Sequence, residues 1–328
     1  MPSEAGGIRR SFTEEPKVNA TAVLAPLAKR ISGVRNGTSP ARDPEFVRRI
    51  AGPVAKLTNY FSPEVRGVKN MPANGPVILI GNHSCLFYMP DVWVVAEAIV
   101  AWRGVEQPAY AMGYDLLFAV PGVGKFLRRI GALPAAREDA EAALAGGGLL
   151  LVYPGGDFEA CRPWTERNRV EFGGHQGFVK LALRTGAPVV PVVTHGSHNA
   201  VFVLTRGEPL AKAMGLGALR IKVFPLALGP FGLTSMLAPP PPLPSAITVE
   251  FLPALDWSRF GPEAADDDGL VSECYEQITG VMQEALSRLQ HERPHPVARG
   301  MVGLARRALT GKLWQLPSYV CDPLGDKA

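Results

Sequence analysis

The stretch Pro76-Val77-Ile78-Leu79-Ile80-Gly81-Asn82-His83-Ser84-Cys85-Leu86-Phe87-Tyr88-Met89-Pro90-Asp91 decides the fold. Pro76 to Gly81 is short, almost wholly apolar and rich in β-branched residues, which predicts a strand buried on both faces. It breaks off into the polar cluster Asn82, His83 and Ser84. Asp91 then precedes an apolar segment running to Trp102, the arrangement expected of a helix N-cap.

Outward from this unit the same alternation repeats. Phe46, Ile50, Val54 and Leu57 give helical spacing over Pro44 to Tyr60. Downstream, a strand is expected at Ala109 to Met112, helical pieces to Arg129, a helix from Glu138 to Leu144 and a strand at Leu149 to Tyr153. After a long polar loop come a helix over Gly177 to Thr185, strands at Pro188 to Val193 and Ala246 to Phe251, and a helix over Gly269 to Leu289. Strands alternating with helices predict an α/β fold, one domain over residues 44–292 with a largely parallel central sheet covered by helices. A basic segment, 1–43, precedes it. The extension 293–328 places Val302, Ala305, Leu309, Leu313 and Leu316 at helical spacing, with Arg299, Arg306, Arg307 and Lys312 between them. Such a basic amphipathic helix either lies on a membrane or packs on the domain.

Composition narrows the function classes. The chain has 328 residues, 47% hydrophobic and 20% charged, enough for a sizeable core. Its four cysteines, Cys85, Cys161, Cys274 and Cys321, are scattered without a CxxC pair, which argues against a zinc ribbon or a disulfide framework and for a reducing, cytosolic setting. Met1 to Asp43 is polar and lacks the pattern of a secretory signal. Formal net charge is only +4, with the basic excess at the two ends. That suits an anionic membrane surface better than nucleic acid, which calls for a denser basic stripe. No stretch reads as a transmembrane helix. Val223 to Val249 carries no charge but is broken by prolines, and is expected to be an apolar loop that covers the core or dips into lipid.

His83 is the leading catalytic candidate. Imidazole titrates near neutrality and can remove a hydroxyl proton, and the carboxyl end of a buried strand is where such groups gather. A carboxylate on its far nitrogen would fix the tautomer and stabilise the imidazolium, and Asp91 is the nearest acidic residue downstream. The bland alternative is a structural histidine and a helix cap. In Tyr153-Pro154-Gly155-Gly156-Asp157-Phe158-Glu159 the glycines permit close backbone approach, so amides at Gly155 and Gly156 could meet an oxyanion or a phosphate; a tight turn explains them too. Arg137 offers a fork for a phosphate, or a partner for Glu141 at helical spacing. Arg162, Arg167 and Arg169 form a second basic cluster, for donor phosphates or for a solvated loop. His195 and His198 lack an evident third ligand, so no metal site is expected, and no dinucleotide fingerprint, P-loop or Gly-x-Ser-x-Gly is present.

The His83 segment resembles the first motif of the glycerolipid acyltransferase superfamily, Asn-His followed by an Asp. In the familiar form the Asp stands five residues after the His, where this chain has Tyr88; Asp91 is similar to a variant loop of some bacterial branches. Gly131 to Arg137 resembles the second motif, with Arg137 at its arginine. Tyr153 to Gly156 resembles the third, with Gly155 in place of the usual acceptor-binding Glu. Pro154-Gly155-Gly156, Arg167-Asn168-Arg169, Gly177 to Arg184 and Gly186 to Pro191 are similar in order and spacing to the type-two diacylglycerol acyltransferases. Val190-Pro191 resembles the fourth superfamily motif.

The resemblance implies an O-acyltransferase that passes a fatty acyl group from acyl-CoA to a glycerolipid hydroxyl. His83 and Asp91 would be catalytic, Gly155, Gly156 and Asn82 would serve the oxyanion or acceptor, and Arg137, Arg167 and Arg169 would bind phosphate. No cofactor is required, acyl-CoA being a substrate. A phosphorylated acceptor, a lysophospholipid or glycerol phosphate, is slightly favoured over a mono- or diacylglycerol. The expected location is the cytoplasmic face of a membrane, peripheral or monotopic. A lipid hydrolase with the same base and a lipid-binding protein without chemistry are the rivals.

Overall fold

The apolar run around Ile78 becomes the middle of a seven-stranded sheet. In the computed structural model, which describes residues 42–84, 87–219 and 221–321, strand β2 (Val77–Gly81) is buried along its whole length. Nearly all of the N-terminal segment 1–43, Cys85 and Leu86 of the His83 loop, and residues 322–328 lie outside the described residues. On one side β2 pairs in parallel with β5 (Leu149–Val152), followed by β3 (Ala109–Gly113) and β4 (Ala132–Pro134). On the other it pairs in parallel with β6 (Val189–His195). Beyond β6 come β10 (Thr248–Phe251), antiparallel to it, and β1 (Glu64–Arg66).

Side chains alternate across the sheet with period two, which gives two cores. Ile78, Ile80, Leu150, Val189 and Val193 face one layer, packed under helices α5 (Arg137–Ala145), α7 (Gly177–Thr185) and α9 (Asp268–Glu292). Val77, Leu79, Leu149, Leu151, Val190 and Val192 face the other, covered by α2 (Pro90–Arg103), against which α1 (Pro44–Thr58) packs. Short helices α3 (Asp115–Ala119) and α4 (Val123–Arg129) join β3 to β4, and α6 (Gly156–Ala160) follows β5. The carboxyl ends of β2, β5 and β6 are neighbours, so the loops after them meet above the sheet.

Three expectations are corrected. Asp91 is not an N-cap: Met89 holds that position in a left-handed conformation (φ 46°), Pro90 opens the helix, and Asp91 lies in its first turn. Val223 to Val249 is not all loop. It contains a tight hairpin, β8 (Leu226–Gly229) and β9 (Gly232–Ser235), which extends β7 (Phe202–Thr205) into a three-stranded antiparallel sheet. The tail helix, α10 (Pro296–Leu309), stops before Leu313 and Leu316 because Gly311 turns the chain (φ 68°). Both α10 and the terminal turn α11 (Ser318–Cys321) pack back on the domain: Arg307 donates to the Asn59 carbonyl and the Ser62 hydroxyl, and the Tyr319 hydroxyl reaches Glu97 at 2.6 Å.

Candidate active site

His83 is the second residue past β2, where the strand opens into its loop. Asn82 fixes the exit by clipping β2 to β6, its side-chain amide donating to the Thr194 carbonyl (3.0 Å) and accepting from the Thr194 amide (2.7 Å). With its carbonyl and one amide proton engaged there, Asn82 latches β2 to β6. The left-handed turn at Met89 brings the first turn of α2 back under the loop. Asp91 Oδ2 sits 2.8 Å from His83 Nδ1 and accepts the Ser84 amide at 3.0 Å. The Asp91 side chain is fully buried, whereas His83 keeps 10% exposure and its Nε2 has no partner among the described residues. Tyr88, at the spacing where the familiar motif has its Asp, turns away and donates to the Pro240 carbonyl.

A second carboxylate lies behind the histidine. Glu159 accepts the His83 amide at 2.8 Å and the Glu171 amide at 3.0 Å, and pairs with Arg162 at 3.2 Å, both side chains fully buried. Arg162 in turn donates to the His83 carbonyl at 3.2 Å. One ion pair thus holds both backbone polar groups of His83. Gly155 is glycine because Glu159 fills its space: a Cβ there would lie 2.4 Å from Glu159 Cβ and 2.5 Å from the Glu171 carbonyl oxygen. The Tyr153 ring packs on His83 with centroids 4.8 Å apart, and Gly81 leaves room for it, since a Cβ on Gly81 would come within 2.4 Å of that ring.

Electrostatics follow the geometry. Burial pulls the His83 imidazole down, but the charge and hydrogen bond of Asp91, helped by Glu159, more than offset it and leave its pKa above the ordinary 6.5. Burial likewise pushes Glu159 above the usual carboxylate value despite Arg162 and two backbone amides. His198 is held neutral, its pKa driven down to about 3 by burial and then by the Arg162 charge.

The remaining candidates disperse. Gly156 donates its amide to the Tyr153 carbonyl (3.1 Å), closing the turn after β5. Arg162, read as part of a basic cluster for phosphates or a solvated loop, is fully buried in the His83 support. Arg167 lies over the Trp164 ring at 3.6 Å, and Arg169 is exposed. Arg137 heads α5 at the β4 edge of the sheet, 61% exposed and paired loosely with Glu138 and Glu141. His195 and His198 donate to the backbone carbonyls of Arg293 and Arg162. Sequence reasoning did not assign Glu159 and Arg162 to the support of His83; the signal was their i,i+3 spacing just after Gly155-Gly156.

Comparison with known proteins places this geometry. A family model described as Acyltransferase matches residues 62–195, which include His83, Asp91, Glu159 and Arg162. An uncharacterized protein of Mycobacterium tuberculosis is 30% identical over 292 residues, 87% of this chain and 79% of its own length. The chain belongs to the glycerolipid acyltransferase superfamily. This acyltransferase is also 28% identical over 171 residues to phytyl ester synthase 1 of Arabidopsis thaliana, spanning 51% of this chain and 24% of that protein. To the human DGAT1/2-independent enzyme synthesizing storage lipids it is 28% identical over 131 residues, 40% of this chain and 39% of the other. The crystal structure of the 1-acyl-sn-glycerophosphate acyltransferase PlsC from Thermotoga maritima superposes with a TM-score of 0.45 at 18% identity, covering 83% of the acyltransferase and 94% of that chain.

Proposed function

We propose that this acyltransferase moves a fatty acyl group from a thioester, acyl-CoA, to a hydroxyl of a glycerolipid. The observation that carries the reading is the buried His83–Asp91 pair at 2.8 Å, which leaves Nε2 without a partner among the described residues. His83 Nε2 takes the proton of the acceptor hydroxyl as its oxygen attacks the thioester carbonyl. The tetrahedral intermediate collapses by expelling the thiolate, and the imidazolium returns the proton to that sulfur. Asp91 stabilises the imidazolium and keeps the proton of neutral His83 on Nδ1. An apolar cleft of about 300 Å³ between α1 and α2, lined by Val47, Ile50, Val54, Trp93 and Val100, suits an alkyl chain. Purified protein with labelled acyl-CoA and a panel of lysophospholipid, glycerol phosphate, mono- and diacylglycerol and long-chain alcohol acceptors tests the reading. Transfer to a hydroxyl supports it; release of free fatty acid alone makes the protein a hydrolase.

Because neutral imidazole is the working form and its pKa is raised, kcat/KM against pH should climb through an acid limb centred above 6.5. Asp91→Asn should move that limb down and lower the rate severely, because the charge that raises the pKa is gone. A limb that stays put in Asp91→Asn would detach Asp91 from the base.

For the acceptor we take a neutral hydroxyl, in contrast to the slight preference for a phosphorylated one drawn from the motifs. Arg137 follows β4, three strands from β2, roughly 14 Å at about 4.8 Å per strand. It already has two glutamates beside it. Arg137→Ala should therefore change KM for a monoacylglycerol by less than about twofold. A rise of about one to two decades, seen only with lysophospholipid or glycerol phosphate, would restore the phosphorylated acceptor.

A further inference from the structure

We propose that this acyltransferase docks on an anionic lipid bilayer through two apolar elements, the outward stripe of α10 and the β8–β9 hairpin, joined by the proline run 239–244. The inference deepens the reading above and rests on its lipid substrate.

Helix α10 is mounted with its apolar side to solvent. Ala298, Met301, Val302, Ala305 and Leu309 fall at i, i+3, i+4, i+7 and i+11, one narrow stripe. All five are exposed, Leu309 by 89%. The opposite side is the docked one. Pro296 and Gly300 are buried there, a Cβ on Gly300 would overlap the Pro244 carbonyl oxygen at 1.6 Å, and Arg307 is turned inward onto Asn59 and Ser62. A surface helix of a soluble domain ordinarily buries its apolar stripe. Arg299 and Arg306 remain exposed beside the stripe, able to reach headgroups while their stems stay apolar.

The hairpin repeats the inversion. Phe202, Leu228 and Leu233 are direct cross-strand partners and form a row on the exposed face of the small sheet, while Val203 and Ala227 on its other face are buried. That outer face of an antiparallel sheet is normally polar. At the two-residue tip Phe231 is 97% exposed, and Leu237 just beyond β9 is 79% exposed. Among the described residues from Val201 to Val249, Lys212 and Lys222 are exposed against Glu208, while Arg206 is turned inward onto Glu166 and Glu171.

Both elements belong to the site end of the sheet. The proline run between them accepts the Tyr88 hydroxyl at Pro240 and bonds Leu243 to the Ala200 carbonyl, and Ala246 bonds to Pro296 at the start of α10. Phe202 stacks at 5.0 Å on Trp164, in the loop that follows β5 and α6. A bilayer held here would present a lipid hydroxyl beside the His83 loop. The exposed Lys212, Lys222, Arg299 and Arg306 complement anionic headgroups. A second copy meeting the same patch across a two-fold axis would set basic residues against basic residues.

Flotation with vesicles of phosphatidylcholine and phosphatidylglycerol, against phosphatidylcholine alone, tests this. Wild-type protein should prefer the anionic vesicles. Met301→Asp with Val302→Asp, and separately Phe231→Ser with Leu233→Ser, should each lower partitioning at least about tenfold, and the four together should abolish it. All four positions are exposed, so folding is retained, and transfer between short-chain, water-soluble substrates should be unchanged. Undiminished binding by the quadruple variant overturns the proposal. So does conversion of a dimer to a monomer with vesicle binding intact, which would assign the face to a second copy. Vesicle binding is scored independently of turnover, so a failure of the acyl-transfer reading would be seen separately.

Discussion

Replacing His83 by alanine is expected to lower acyl transfer by at least about 10²- to 10⁴-fold while the protein stays folded, since a positioned general base contributes on that scale. The loop does not depend on the imidazole for its shape. Its amide is held by Glu159, its carbonyl by Arg162, the Ser84 amide by Asp91, and Asn82 by Thr194. What His83→Ala removes is the proton acceptor at Nε2, along with a ring stacked on Tyr153. Circular dichroism and the thermal midpoint control for folding, and labelled acyl-CoA with the productive acceptor measures the rate. His83→Gln, which keeps a polar side chain but cannot accept a proton at neutral pH, should be nearly as inactive. Turnover near the wild-type level in a folded His83→Ala protein would remove the mechanism and leave His83 as a strand-end structural residue.

The sequence showed some of this site plainly and hid the rest for definable reasons. A strand such as Val77–Gly81 advertises itself because burial on both faces demands an unbroken apolar run, and His83 stands out against it. The link to Asp91, eight residues on, is not a spacing rule; it depends on a left-handed turn at Met89, a residue whose side chain does not predict that conformation. Arg162 was misread because a sequence displays charge but not depth, and three arginines in eight residues look alike until one is found buried against Glu159. The hairpin Leu226–Ser235 escaped because four-residue strands flanked by Pro225 and Pro230 are too short for alternation to register. Periodicity located the tail helix and its apolar stripe, yet periodicity is the same whether the stripe faces the core or the solvent.

Removing one member of the Glu159–Arg162 pair should be the most damaging change to stability in the neighbourhood of the site. Arg162→Met should cost roughly 3–5 kcal/mol, because a carboxylate would be left buried with only the His83 and Glu171 amides to hold it. The loss should depend on pH in a defined direction. Burial already raises Glu159 above its unfolded value, and without the guanidinium it rises further. A carboxyl group with a raised folded-state pKa favours folding when protonated, a benefit fully present below the unfolded pKa and lost as pH climbs through the folded one. Arg162→Met should therefore approach wild-type stability near pH 4.5 and fall furthest behind at pH 8, measured by urea unfolding at each pH. Glu159→Gln combined with Arg162→Met removes both charges and should recover much of the stability at pH 8. Activity should not recover with it, because the clamp on the His83 backbone is no longer an ion pair with fixed geometry. A pH-independent loss in Arg162→Met would mean that Glu159 is not the group left uncompensated. Full activity in the double variant would show that His83 is held by its own loop and that the ion pair serves stability alone.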